Sequence, residues 1–159
     1  IASFTGSGLR RRLGGPAARV IGLRLERNGT IAPLIEPRKV GGTVRPAWIN
    51  GKGRLRRINV RITHAWTVRA TYGRHRVLLH ISRRPDGPRG EDCSALWLGT
   101  PSGRRWRRLK FPDPATAQVV SWTSKHLVLR RGNSKGRDFL DVIDRPERLR
   151  LSTRQRPTC

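Results

Sequence analysis

The sequence has 159 residues, 35% of them apolar, with 35 Lys and Arg against 10 Asp and Glu, a formal net charge of +25. That length suits one domain with a modest core, and no apolar run approaches the ~20 residues of a membrane-spanning helix. A charge this one-sided repels itself unless a polyanion neutralises it, which makes nucleic acid the expected partner.

Residues 1–19 are rich in Gly, Ser and Arg, show no periodicity, and read as a basic arm carrying Arg10, Arg11 and Arg12. The chain starts at Ile1 and contains no methionine, which reads as the loss or omission of an upstream segment. No signal-peptide pattern is present. Structure is expected from Val20, where Ile21, Leu23 and Leu25 alternate with Gly22, Arg24 and Glu26. Asn28-Gly29 then signals a hairpin, and Ile31 to Ile35 returns. Pro33 cannot donate a ladder hydrogen bond, which predicts an edge strand. Thr43 to Ile49 is the next strand, and Asn50-Gly51 a second hairpin turn.

Ile58 to Tyr72 reads as one long half-buried strand. Ile58, Val60, Ile62, His64, Trp66, Val68, Ala70 and Tyr72 fall on one face. Arg57, Asn59, Arg61, Thr63, Thr67, Arg69 and Thr71 fall on the other, with Ala65 the lapse. At about 3.3 Å per residue it would reach roughly 50 Å, so a bend or bulge is expected. Arg76 to Ser82 follows, then a polar loop from Arg83 to Asp92. Ala95 to Leu98 is a short apolar strand, and Arg104 to Phe111 a basic strand or extended loop. Gln118 to Trp122, His126 to Arg131 and Phe139 to Ile143 complete the set, with Leu149 and Leu151 a short terminal strand. The longest helical stripe is a short turn around Pro114 to Ala117. About eight strands at this spacing predict an all-β fold, an antiparallel sandwich or barrel over 20–151, followed by a basic tail at 152–159.

Enzyme chemistry finds no support. His64, His75, His80 and His126 form no metal-binding spacing with one another or with Cys. His64 reads as a core histidine and His80, opposite the Val77 face, as exposed. Asp138, Asp141 and Asp144 are expected to pair with the surrounding arginines, with Asp138 and Asp144 on one face and Asp141 on the other. Gly6-Ser7-Gly8 and Gly51-Lys52-Gly53 lack the remainder of a phosphate-loop pattern. No metal, cofactor or catalytic residue is therefore expected. Cys93 and Cys159 could form one disulfide, but free thiols are the expected state.

What remains are basic clusters. Only five of the 35 cations are lysines, so 30 are arginines. A GC-rich genome would explain that ratio but not the excess of positive charge. Arginine suits bidentate phosphate contacts. Besides the arm, the clusters are Lys52, Arg54, Arg56 and Arg57 around a turn, and Arg83, Arg84 and Arg89 in a loop. Arg104, Arg105, Arg107, Arg108 and Lys110 surround Trp106, and Arg130, Arg131, Lys135 and Arg137 lie near the end. Scattered over turns, they suit sequence-independent binding to phosphates. Trp106 is read two ways, stacking on an unpaired base or packing inward. Trp48, Trp66, Trp97 and Trp122 read as core.

His75-Arg76-Val77-Leu78-Leu79-His80-Ile81-Ser82-Arg83-Arg84-Pro85-Asp86-Gly87, an apolar strand running into a basic loop, resembles a feature of single-jelly-roll coat proteins of small circular single-stranded DNA viruses. Gln118 to Arg131 is similar to their hairpin of apolar strands ending in Leu-Arg-Arg. The likeness covers about a quarter of the chain, and it differs in carrying most charge in the folded part. It implies a jelly-roll type of sandwich, a genome-binding inner surface, homo-oligomeric assembly and a place in the virion. The Pro33 edge, the Ala95 to Leu98 strand and the tail after Arg145 are then the expected contacts between copies. A structural component of a ribosome or organellar ribonucleoprotein accounts for the charge as well, and a secreted β-domain binding acidic polysaccharide is the third reading.

Overall fold

The computed structural model describes residues 18–26, 29–39, 41–63, 65, 67–83, 93–111, 117–132 and 136–159. Most of the expected arm, the Pro114–Ala117 turn up to Thr116, and Asn28, His64 and Trp66 lie outside them. The described chain is all-β and antiparallel, a sandwich, with one 3-10 turn at Pro146–Arg148 and no α-helix.

The strands are β1 (Ala18–Leu25), β2 (Ile31–Pro37), β3 (Thr43–Val44), β4 (Ala47–Ile49), β5 (Leu55–Arg57), β6 (Ile62–Thr63), β7 (Thr67–Tyr72), β8 (Val77–Arg83), β9 (Cys93–Gly99), β10 (Trp106–Leu109), β11 (Gln118–Trp122), β12 (His126–Gly132) and β13 (Asp138–Asp144). The large sheet runs β10-β9-β8-β7-β2-β4-β5, with β1 also on β2. A second sheet is β11-β12-β13, and β3 pairs with β6. These are mostly hairpins and meanders between consecutive strands, and a jelly-roll order does not emerge from them.

The large sheet is covered on both faces. Val77, Leu79 and Ile81 of β8, with Ala95 and Trp97 of β9, belong to one core with Val44, Ile58, Val60 and Ile62. Leu78 of β8, with Leu96 and Leu98 of β9, belongs to another with Leu127 and Leu129 of β12. That is why β8 and β9 read as nearly unbroken apolar runs rather than alternating ones.

The single long strand is not formed. Val60 N donates to Ile58 O (2.8 Å) and Ile58 N to Pro46 O (2.9 Å), so the chain turns before β6 and starts again as β7. Ile58, Val60 and Ile62 are nonetheless all buried, because the broken segment lies over the sheet instead of extending it. Thr43 to Ile49 is likewise split at Arg45-Pro46 into β3 and β4. Nor is β2 an edge. Its ladder to β1 runs along its length, while β4 pairs at Ile31 and β7 at Leu34 and Ile35. Pro33 falls at the changeover between β4 and β7 on one side and stands opposite Leu23 of β1 on the other.

Two glycines admit tryptophan rings. A Cβ on Gly99 would sit 2.1 Å from Trp106 Cε3, and one on Gly73 2.3 Å from Trp122 Cε2. Trp48, in the same core cluster as Trp106, stacks on Tyr72 at 4.8 Å between centroids.

The face of β7 that reads as polar is covered too. Thr71 and Glu26 are buried, and Thr71 Oγ1 donates to Glu26 Oε1 (3.5 Å). Arg24 Nε lies 3.5 Å from Glu26, and its Nη2 donates to Val119 O (3.1 Å). Arg69 Nη2 donates to Ala117 O and reaches His80 Nδ1, both at 3.4 Å. His80 Nδ1 then accepts, which leaves Nε2–H to donate to Ser94 Oγ (2.8 Å). His80 is therefore not the exposed residue expected from its strand position. Burial, and then the Arg69 charge, lower its pKa from 6.5 to about 4. Burial raises the Glu26 carboxyl and lowers the Arg69 guanidinium.

Two outcomes are expected. Gly99→Ala should destabilise the fold by about 1–3 kcal/mol, because the added methyl overlaps a fixed ring, as read from a shift in denaturation midpoint at constant slope. His80 binds a proton more readily unfolded than folded, so its contribution is complete above about pH 6.5 and is lost as pH falls toward about 4. Unfolding free energy should drop by up to about 3 kcal/mol across that window. In His80→Gln the drop should vanish, leaving the opposite slope of Glu26, whose raised pKa favours the folded state as pH falls.

Candidate nucleic-acid interface

The edge of the large sheet at β10 is closed by the C-terminal segment. Trp106 N donates to Ser152 O and Ser152 N to Trp106 O, both at 2.9 Å, a single bridge rather than the terminal strand expected at Leu149 and Leu151. Arg108 N donates to Gln155 Oε1 (3.3 Å), and Trp97 Nε1 to Thr158 O (2.8 Å). Cys159 ends the segment in a disulfide to Cys93 at the start of β9, with Cα atoms 5.7 Å apart. The expectation of free thiols is thus wrong. The tail crosses the sheet edge and brings the two residues together, a juxtaposition invisible in their 66-residue separation.

Upstream, Arg76 Nη2 donates to Glu147 O (2.7 Å), and its Nε lies 3.8 Å from Glu147 Oε2. This holds the Pro146–Arg148 turn against β8. Leu149 and Leu151 alternate with exposed Arg148 and Arg150 and pack on the second core.

Residues of β10 and of this segment together line an open groove of about 1430 Å³. Among the described residues its lining holds seven cations, Arg76 (tied to Glu147), Arg105, Arg107, Arg108, Lys110, Arg150 and Arg154, and no carboxylate side chain. Leu109, Phe111, Ile143, Leu149 and Leu151 provide apolar floor, and Ser152, Thr153 and Gln155 polar groups. Such a lining can neutralise a string of phosphates while hydroxyl, amide and apolar groups meet sugars and bases without reading sequence.

The sequence-predicted residues divide as follows. Arg105, Arg107, Arg108 and Lys110 are exposed in the groove, and Arg104 is exposed in the preceding turn. Lys52, Arg54, Arg56 and Arg57 are exposed on and after the β4–β5 turn, which Asn50 Oδ1 holds by accepting from Lys52 N (3.1 Å) and Arg54 N (2.8 Å). Trp106 is the inward-packing alternative: it is 0% exposed, its Nε1 donates to Gly103 O (2.9 Å), and no base can reach its faces. Arg131 is buried rather than presented to phosphate. It pairs with Asp141, and its guanidinium lies 5.8 Å from the Phe111 centroid and 5.6 Å from that of Phe139. Arg130 is exposed but bound to Asp138 at 2.5 Å. Asp138 and Asp141 thus pair with arginines as the sequence predicts, whereas Asp144 meets His126 of β12 at 2.9 Å and not an arginine. Arg137 is exposed. Arg83 ends β8 opposite Cys93. Arg10, Arg11, Arg12, Arg84, Arg89 and Lys135 lie outside the described residues.

Arg76, Arg150 and Arg154 were missed as site residues. The alternation of Arg148 and Arg150 with Leu149 and Leu151 was the available signal for a charged outer face. Nothing local places that face beside β10. Among the described residues no group of three His, Cys, Asp or Glu is disposed to hold a metal. Family models, curated proteins and solved structures yield no match to the chain.

Because the disulfide anchors the wall of the groove, its loss should act on both stability and shape. Cys159→Ser, or reduction, is expected to cost about 4 kcal/mol, the chain-entropy value for a loop of this length. Hydrogen exchange at the Trp106 and Ser152 amides should rise together as the bridge opens. Unchanged exchange would mean that the tail holds its place without the bond.

Proposed function

We propose that this chain is a structural nucleic-acid-binding protein, a coat protein that packages a viral genome through sequence-independent phosphate contacts. The observation that carries this reading is the groove whose lining, among the described residues, has seven cations and no carboxylate. Phosphate is the ligand such a surface fits best, since each arginine offers paired donors and a permanent charge. The cations of the β4–β5 turn extend the basic surface. The reading is of a binder and not an enzyme. Each carboxylate side chain among the described residues is in an ion pair: Glu26, Glu36, Asp138, Asp141 and Glu147 with arginines, and Asp144 with His126. None is left poised as a general acid or base.

The disulfide favours a second reading, a secreted β-domain that binds acidic polysaccharide, because such bonds persist mainly in oxidising compartments. The same bond counts against the ribosomal alternative.

Titration with single-stranded polynucleotide at increasing salt tests the proposal. Affinity should fall by about 0.7 log unit per log unit of salt for each phosphate neutralised. Replacing Arg105, Arg107, Arg108 and Arg150 together by Gln should flatten the slope by up to about three. An unchanged slope would move the site elsewhere, and equal affinity for heparin would favour polysaccharide.

A further inference from the structure

The strand edges of the described chain are not alike. Edge strand β5 carries exposed Arg56 and Arg57, and β10 is bridged by the tail. In contrast, β1 has no strand partner beyond β2, and β13 none beyond β12, among the described residues. Both expose large apolar side chains. On β1 these are Ile21, Leu23 and Leu25, the last 74% exposed, and on β13 they are Phe139, Leu140 and Val142, with Leu140 68% exposed. Free apolar edges are what natural sheets usually blunt or use.

Charge singles out the same two strands. Residues 18–37 hold Arg19, Arg24 and Arg27 against Glu26 and Glu36, a net +1. Residues 126–144 hold Arg130, Arg131, Lys135 and Arg137 against three aspartates, again a net +1. Subtracting both from +25 leaves +23 on the remainder of the chain. Two copies can therefore approach here without pressing their cations together, and a polyanion has little reason to occupy these surfaces. The strands are also complementary. Beside its partner Glu36, Arg19 of β1 keeps 65% of its side chain exposed, while Asp138 and Asp144 of β13 keep 53% and 78% exposed beside Arg130 and His126.

We propose that β1 of one copy docks along β13 of the next, a heterologous edge-to-edge contact between copies of this chain. The inference rests on the packaging reading, which requires self-assembly, and says where the contact lies. Pairing like with like is disfavoured. An antiparallel β13–β13 pair centred on Asp141 sets Asp138 against Asp144, and β1–β1 sets arginine against arginine. A β1–β13 contact leaves the second edge of each copy open, so it propagates into a ring, a shell or a filament. It also replaces the contacts expected from the sequence. Ala95 to Leu98 lies inside the large sheet, the Pro33 strand is interior, and the tail after Arg145 is occupied with β8 and β10.

Sedimentation velocity on the full chain, free of nucleic acid and over a concentration series, tests this. Wild-type protein should form species larger than a dimer. Leu25→Asp, which spoils β1, and Leu140→Asp, which spoils β13, should each be monomeric alone. Mixed, they should give a dimer that grows no further, since each supplies the edge the other lacks. A monomeric wild type, either variant assembling like wild type, or a mixture that stays monomeric would overturn the proposal. Near-UV circular dichroism confirms that the variants fold, and Leu23→Asp with Val142→Asp replaces a pair that does not, read in the same way. Polynucleotide binding by the same variants separates the two ideas. An unchanged salt slope with wild-type assembly sinks the interface alone, whereas loss of binding by folded wild type sinks the packaging reading.

Discussion

Val77, Leu79 and Ile81 point to one side of β8 and Leu78 to the other, and β9 repeats this with Ala95 and Trp97 against Leu96 and Leu98. Each such aliphatic side chain is worth about 1.5–3 kcal/mol when fully buried. A hairpin apolar on both faces cannot lie open to water on either, so the large sheet needs two covers. The three-stranded sheet supplies one. The other comes from the irregular run through Ile58 and Val60, with the β3–β6 pair. The break in the expected long strand follows from this demand: continued straight, Ile58 to Ile62 would extend the sheet and leave its face exposed.

The covers determine the state of the polar residues caught between layers. Arg69, Glu26 and His80 stand at positions that an open two-sided strand would give to solvent. Beneath β11 they become a covered network in which Arg69 bonds His80 and the Ala117 carbonyl, His80 bonds Ser94, and Glu26 meets Thr71 and Arg24. Neutral His80 suits that place, because Arg69 already brings a positive charge there. Leaving any of these groups without a partner would cost more than the net gain of making its bond.

At the surface, the few acids serve as clamps rather than as a counterweight. They join Arg19 to β2, Arg76 to the C-terminal turn, and Arg130 and Arg131 to β13. The tail carries two exposed arginines, Arg150 and Arg154, to the edge of β10. The Cys93–Cys159 bond and the Trp106–Ser152 bridge thereby turn a dispersed basic composition into one groove with a defined wall.

Alternation, Asn-Gly and Asp-to-Arg spacing are local signals. From them the sequence alone determined the all-β class, the hairpins at Gly29 and Asn50, the strands around Val77, Ala95, Gln118, His126 and Phe139, and the pairing of Asp138 and Asp141 with arginines. They could do so because a strand's two-residue period and a turn's backbone needs are written within a few residues. Only the tertiary structure decided that the polar face of β7 is covered, that Pro33 sits inside a sheet, that Trp106 faces Gly99 rather than a base, and that Cys159 meets Cys93. Each depends on which distant segment lies against it. Burial is a property of that meeting, and no residue carries it in its own side chain.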